Sequence, residues 1–329
     1  DYFRSDLIPP RYRIGGNGWT HCVLNYRRIL GEGLGGYRKR VNAMPPSPLR
    51  RALSDTLAGI TDFLRRAPGD IAACAEHPAR DFRSAMRSFN FFFALDCYDS
   101  AGRFDDYMGE FYNGEPDAQM WLEELYRAVD LHDGWHFLHT AKHPAFTRLC
   151  LRAQKLRRPN SGLLAGPETP PEIWEELFDV WGRGVPCPSV YNEAAYRSGI
   201  RHGSDAKGAD RDRFAFGGCT ELMFEGCSNI GSTEGGLNLL DILNNSTPSR
   251  FRADIRLRME EFASAVRANS EFAAQYRPQL IRTLFVDDCI DRNREFNAGG
   301  ARYYGSIVNV AGLTDAANSL AAMRGIPEK

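Results

Sequence analysis

The segment Phe216-Gly217-Gly218-Cys219-Thr220-Glu221 contains residue types that could do chemistry. Two glycines before a cysteine allow a tight backbone turn and a close approach to a ligand. If the segment is extended, its side chains alternate, so Cys219 and Glu221 point to the same side. A sulfur nucleophile or hydrogen-atom carrier would then lie beside a general base. Taken alone, the segment fits a small buried cysteine without chemistry better than a catalytic one.

A row of histidines is the competing pattern. On a helix, its spacings of four, three and four residues would place the imidazoles on one face, where they could bind zinc or nickel. Gly134 and Pro144 weaken a regular helix there, so we favour solvent-facing or core histidines over this metal site. The row consists of His132, His136, His139 and His143.

Two further patterns have simple structural interpretations. The segment 31–36 (Gly-Glu-Gly-Leu-Gly-Gly) imitates a dinucleotide-binding loop, but no strand-like run precedes it, so we predict a helix-ending turn. Asp287 and Asp288 are adjacent carboxylates. In a strand they would point to opposite faces, which argues against a pair that shares a proton.

The elements that must position these residues follow from hydrophobic periodicity. Predicted helices cover residues 49–66, 81–95, 118–130, 170–181 and 252–267, and predicted strands cover 281–286 and 304–310. This mixture predicts the α/β class. Because no repeat or linker is visible, we predict one domain over residues 1–329, mainly helical in 1–183 and containing the cysteine segment in 184–329.

Composition narrows the class of protein. The 329 residues are 43% hydrophobic, and 41 basic residues nearly balance 42 acidic ones without a basic block, which argues against nucleic-acid binding. No apolar stretch of about 18 residues predicts a membrane helix, and the first residues lack the layout of a signal peptide. The eight cysteines form no CxxC pair, so we expect a cytoplasmic protein.

Several short motifs occur in an order that resembles the glycyl radical enzyme superfamily, the pyruvate formate-lyase-like proteins. The segment 218–221 (Gly-Cys-Thr-Glu) is similar to that family's Gly-Cys-Val-Glu thiyl loop. The other similar segments are 15–30, 100–107, 158–160, 170–174, 184–186, 191–193, 288–289, 297–301 and 319–322. Together they span nearly the whole chain.

The resemblance implies an α/β barrel, complete or partial, with peripheral helices and a central cysteine loop. It implies that a backbone glycyl radical passes to the sulfur of Cys219, and that the thiyl removes a hydrogen atom from a substrate carbon. It also implies that Glu221 takes a hydroxyl proton in dehydratase-like members. Residue 218 is Gly where pyruvate formate-lyase has a second cysteine, so acyl transfer is the less favoured alternative.

The family's radical glycine lies in an Arg-Val-Ala/Ser-Gly-Tyr context. Its nearest equivalent here is Val310-Ala311-Gly312-Leu313, without the arginine and the tyrosine, and we predict that Gly312 is a turn glycine. We therefore expect the chain to stop short of the radical domain. The radical would come from a missing region or a separate chain, installed by a radical-SAM activating enzyme.

These patterns predict the thiyl-bearing part of a lyase or dehydratase that acts anaerobically on a small polar substrate. Cys219 and Glu221 are the predicted catalytic residues, and His21, Asp99, Glu225 and Asn238 are weaker candidates for substrate contacts. The alternatives are a catalytically silent relative that binds a ligand or partner chain, an acyltransferase, and a metal-binding protein. We expect a homo-oligomer with no nucleic-acid or membrane partner.

Overall fold

The computed structural model describes residues 20–67, 69–132, 134–155, 161–218 and 220–323. Two compact units are distinguished. The larger unit comprises 21–229 and 278–304, and the smaller one includes 230–277 and the described part of 305–329. That the chain forms one domain stays a prediction.

Helices and strands alternate along the described residues. The helices are α1 Tyr26–Ala43, α2 Pro48–Leu64, α3 Ile71–Glu76, α4 Phe82–Leu95, α5 Phe104–Met108, α6 Ala118–Leu131, α7 Pro144–Ala153, α8 Pro171–Gly182, α9 Glu193–Gly203, α10 Leu239–Asn244, α11 Phe251–Tyr276, α12 Leu280–Phe285 and α13 Leu313–Met323. The strands are β1 Thr20–His21, β2 Gly102–Arg103, β3 Phe137–His139, β4 Ser161–Ala165, β5 Ser189–Asn192, β6 Phe214–Gly217, β7 Glu221–Phe224, β8 Ser228–Asn238 and β9 Tyr303–Ala311.

A parallel sheet organises the larger unit. Its four strands run in the order β2-β3-β4-β5, and an isolated parallel bridge joins Val23 to Ser100 beside β2. Helices connect these strands, because parallel neighbours need long crossover connections. The predicted α/β class is confirmed, and in the described residues the sheet is open and does not close into a barrel.

One face of this sheet is covered by an aromatic core. Phe137 of β3 packs its ring against Phe93 and Phe104 at centroid distances of 5.3 and 5.1 Å, and against Tyr126 of α6 at 5.0 Å. The apolar run predicted as a buried helix segment lies in α4, whose Asp81 and Ser84 form a capping box. This packing positions β3 between the helices and the other face of the sheet.

The smaller unit contains β8 and β9 as neighbouring strands, together with α10, α11 and α13. Its core joins Leu239, Leu243, Phe251 and Ala316. Gly312 follows β9 with φ 72° and precedes α13, in the conformation expected of a turn glycine.

One prediction of local structure is wrong, and another is confirmed in part. Residues 281–286 were predicted as a strand, but they lie in α12 and at its end, where the apolar side chains recur with helical spacing. Residues 31–36 were predicted as a turn that ends a helix, and within α1 one helical segment ends at a kink at Gly33 and a second continues beyond it. Only Gly33 departs from helical geometry, at φ 60°, and a Cβ on it would lie 2.6 Å from the carbonyl oxygen of Glu76.

No helix in the described part of the chain is long and apolar enough to cross a membrane.

Candidate active site

The cysteine segment forms the end of a buried hairpin in the larger unit. Strands β6 and β7 pair antiparallel with Gly217 opposite Glu221, and Thr220 N–H donates to the carbonyl of Gly217 at 2.9 Å. Gly218 has φ 50° and Thr220 has φ 107°, which is rare for a residue other than glycine. Cys219 lies outside the described residues.

The tight turn changes the argument that linked Cys219 to Glu221. That argument required an extended segment with alternating side chains, and the positive φ angles of Gly218 and Thr220 show that the backbone is not extended there. The carboxylate of Glu221 is buried, with 8% of the residue exposed. That Cys219 and Glu221 face a common cavity stays a prediction.

The position of His21 explains why residues 217 and 218 are glycines. A Cβ on Gly218 would lie 2.1 Å from Nε2 of His21, and a Cβ on Gly217 would lie 2.9 Å from Cβ of His21 and 2.5 Å from Cε of Met223. Real Cβ atoms do not approach other atoms so closely. The imidazole of His21 therefore occupies the space that a side chain at residue 218 would need.

A carboxylate orients His21. The Nδ1 of His21 lies 2.5 Å from Oδ1 of Asp99, whose Oδ2 accepts hydrogen bonds from the backbone N–H of Cys22 at 2.7 Å and from Nη2 of Arg282 at 2.9 Å. Because a carboxylate accepts, Nδ1 carries a proton, and Nε2 is the nitrogen that faces the turn. The ring of Trp135 packs edge-on against His21 with centroids 5.0 Å apart.

Ser100 connects this pair to the turn. The backbone N–H of Gly218 donates to Oγ of Ser100 at 3.3 Å, and that hydroxyl lies 3.3 Å from Oδ1 of Asp99. The turn, His21 and Asp99 are therefore joined by hydrogen bonds in the interior of the larger unit.

Arg282 is shared by two buried carboxylates. Its Nε donates to Oδ1 of Asp96 at 3.0 Å, and its Nη2 donates to Asp99. Burial raises the pKa of Asp96 to about 6, with the carboxylate of Asp99 acting in the same direction and the guanidinium of Arg282 opposing it. Burial also raises the pKa of the Cys22 thiol well above its ordinary value.

Sequence reasoning found His21, Asp99 and the turn but missed Ser100, Asp96 and Arg282. Arg282 was hidden in a segment predicted as a strand. Its signal was a charged residue inside an otherwise apolar run, which requires a buried partner.

Glu225 and Asn238 are the other predicted substrate contacts. Both side chains interact with other groups of the chain. Oε1 of Glu225 accepts from the backbone N–H of Arg103 at 3.1 Å, and Oε2 lies 3.8 Å from Nε of Arg213. Burial raises the pKa of Glu225. Asn238 belongs to the smaller unit and is the N-cap of α10, where its side chain accepts backbone N–H groups. Their roles toward a substrate stay predictions.

The four histidines of the row do not share a helix. His132 follows α6 and stacks on Tyr98 at 5.1 Å, His143 precedes α7, and His136 and His139 lie in or next to β3. Across the described residues no group of three or more His, Cys, Asp or Glu side chains could hold a metal ion.

The fold is similar to that of a glycyl radical enzyme from Archaeoglobus fulgidus, which matches with a TM-score of 0.70 and 14% identity, over 94% of this chain and 53% of that one. A structure on 1,2-propanediol dehydration in Roseburia inulinivorans matches with a TM-score of 0.75 and 17% identity, over 96% of this chain and 52% of that one. The B12-independent glycerol dehydratase of Clostridium butyricum matches with 0.76 and 15%, over 98% and 55%. Hydroxyproline dehydratase of Clostridioides difficile matches with 0.72 and 15%, over 97% and 55%. The chain spans about half the length of these structures.

The family is indicated independently by sequence. Residues 248–326 match the family model described as "Pyruvate formate lyase-like". The predicted resemblance to the glycyl radical enzyme superfamily is thus confirmed as a resemblance of fold over the chain and of sequence over residues 248–326. No curated protein matches the chain by sequence.

Proposed function

We propose that this chain is the thiyl-bearing portion of a glycyl radical dehydratase or lyase that acts on a small hydroxylated molecule. The observation that carries this proposal is the pair Gly217 and Gly218, two buried residues that pack against His21 and are joined through Ser100 to Asp99. A turn with positive φ angles at Gly218 and Thr220, held by buried polar side chains, is typical of a functional site rather than of a simple connection.

Cys219 would be the hydrogen-atom carrier and Glu221 the base. A thiyl on Cys219 takes a hydrogen atom from a substrate carbon, so a C–H bond breaks and an S–H bond forms. Glu221 accepts the proton of the hydroxyl on that carbon, and the neighbouring group leaves with its bonding electron pair. The S–H then returns a hydrogen atom to the product radical. The radical would be supplied by a glycine outside these 329 residues, after activation by a radical-SAM enzyme.

The packing at residue 218 favours this reaction over acyl transfer. Acyl transfer in the resembled family uses a second cysteine at this position. A Cβ there would collide with Nε2 of His21, at 2.1 Å. The dehydratase titles among the matching structures support the same choice.

The test is anaerobic turnover of this chain with an activating enzyme and a complementary chain that carries the radical glycine. Glycerol, 1,2-propanediol and trans-4-hydroxy-L-proline serve as substrate probes. We expect Cys219→Ser to abolish product while the glycyl radical signal persists, and Glu221→Gln to lower turnover by about 10²-fold or more. Cys74→Ser, in the short helix α3, is the matched control and should retain activity. Turnover that survives in Cys219→Ser would refute the mechanism.

A further inference from the structure

His136 is a buried histidine whose polar atoms are unused. Only 1% of the residue is exposed, and among the described residues neither Nδ1 nor Nε2 has a hydrogen-bond partner. An unsatisfied buried polar group costs on the order of 1–3 kcal/mol, and His136 has two. Folding alone would therefore favour an apolar side chain at this position.

The sheet register places His136 on the face that carries the turn. Leu138 of β3 pairs with Gly162 of β4, and His136, two residues before Leu138, lies on the same face. A Cβ on Gly162 would lie 3.1 Å from Cε1 of His136. The imidazole also packs edge-on against Phe216 at 5.6 Å, two residues before Gly218.

His139, in β3, is a buried histidine whose two ring nitrogens both have hydrogen-bond partners in the fold. Its Nδ1 bonds to the carbonyl oxygen of Gly162 at 3.1 Å and its Nε2 bonds to the hydroxyl of Tyr126 at 3.2 Å. It lies on the opposite face with Phe137, against the helices. His136 directly precedes β3 and His139 ends it; both are buried, but only His139 is hydrogen-bonded by the fold.

The charge state of His136 restricts what it could bind. Burial lowers its pKa to about 3, with His139 acting in the same direction, so the imidazole is neutral near pH 7. A neutral imidazole offers one N–H donor and one nitrogen acceptor. A hydroxyl group, which both donates and accepts, matches this pair without introducing charge.

We infer that His136 is a further substrate-binding residue that hydrogen-bonds a hydroxyl of a neutral polyol or hydroxylated small molecule on the turn side of the sheet. This inference rests on the proposed function and adds a specificity contact to it. Phe216 packs on His136, and Gly217 and Gly218, which follow it, pack on His21, so the two histidines contact the same end of β6.

The experiment measures glycerol binding by isothermal titration calorimetry and thermal stability on the unactivated chain, for His136→Phe, His136→Leu and His139→Phe. We expect both His136 variants to bind glycerol at least fivefold more weakly with a melting temperature equal to or above that of the wild type. His139→Phe should melt at a lower temperature and, in its folded state, bind glycerol normally.

The outcomes separate this inference from the proposed function. If the wild type binds glycerol and the His136 variants bind it equally well, the role of His136 is refuted while the proposed function stands. If the His136 variants are destabilised like His139→Phe, the histidine is structural and the inference is also refuted. If neither glycerol nor 1,2-propanediol binds the wild type, the substrate class fails and the role of His136 fails with it.

Discussion

At the scale of single residues, the site depends on groups that cannot be changed without displacing a neighbour. Gly218 has no room for a side chain, because His21 fills that space. Asp99 is completely buried and accepts from an imidazole, a guanidinium and a backbone amide. Each of these features leads to a measurable consequence.

Gly218→Ala should destabilise the fold by about 2 kcal/mol or more, because it adds a Cβ at 2.1 Å from His21 and strains a φ of 50°. Gly31→Ala is the matched control, since a Cβ there meets nothing within 4 Å and residue 31 is in a helix. That control should be neutral or stabilise by up to about 1 kcal/mol. Urea denaturation measures both. Equal effects of the two substitutions would contradict the packing described for the turn.

Asp99→Asn should destabilise the chain by about 3 kcal/mol, because the buried guanidinium of Arg282 loses one of its two carboxylates. Asp62→Asn removes an exposed partner of Arg65 and should change the free energy of unfolding by less than about 0.5 kcal/mol. Guanidinium chloride denaturation compares the two. An Asp99 variant as stable as the Asp62 variant would show that the ion pair of Asp99 with Arg282 does not stabilise the fold.

The raised pKa of Asp96 predicts a dependence of stability on pH. Its folded pKa of about 6 exceeds the ordinary unfolded value of about 4, so the folded state binds more protons between these values. Stability attributable to Asp96 is therefore present below about pH 4 and lost as the pH rises to about 6. Asp96→Asn should remove this decline, which amounts to at most about 3 kcal/mol. Denaturation of both proteins at pH 4 to 7 measures it, and parallel curves would contradict the prediction.

At the scale of elements, the start of α4 is stabilised by hydrogen bonds between residues that are close together in the sequence. The side chain of Asp81 accepts from Ser84 N–H at 2.7 Å, and Ser84 Oγ accepts from Asp81 N–H. These hydrogen bonds lower the pKa of Asp81. The arrangement begins α4, whose phenylalanines build the core that supports β3.

Asp81→Ala should cost about 1 kcal/mol of stability, because α4 loses its capping box. The effect should vanish at low pH, since a lowered folded pKa stabilises the protein above the unfolded pKa and this stabilisation is lost as the pH falls. Asp55→Ala, at an exposed position within α2, is the control and should have no such effect. Thermal unfolding at pH 7 and pH 3 measures both variants, and a cost that persists unchanged at pH 3 would argue against the cap.

At the scale of the whole molecule, the proposed activity would depend on a radical donor. No glycine in these 329 residues has the Arg-Val-Ala/Ser-Gly-Tyr context, and Gly312 is a turn glycine between β9 and α13. We predict that this polypeptide alone, treated anaerobically with an activating enzyme, shows no glycyl radical in electron paramagnetic resonance. Adding the complementary chain should produce the signal. A doublet from the isolated polypeptide, lost in Gly312→Ala, would identify Gly312 as the radical site instead.

Helices and short motifs could be predicted from the sequence, because they depend on residues close together in the chain. Helices such as α2, α4 and α6 follow from apolar residues that recur every three or four positions. The Gly-Cys-Thr-Glu segment was recognisable because its residue types and family order are properties of the chain itself.

Only the tertiary structure decided which distant groups meet. Asp99 is 78 residues from His21 and 183 from Arg282 in the chain, so no local pattern pairs them. The turn at Gly218 takes a positive φ beside an imidazole from another part of the chain, and α12 forms where an apolar run also fitted a strand. The sequence does not distinguish His136, directly before β3, from His139, at the end of β3. The alternation of the strand turns His139 toward partners and leaves His136 without one, because burial and hydrogen bonding depend on what packs against each face.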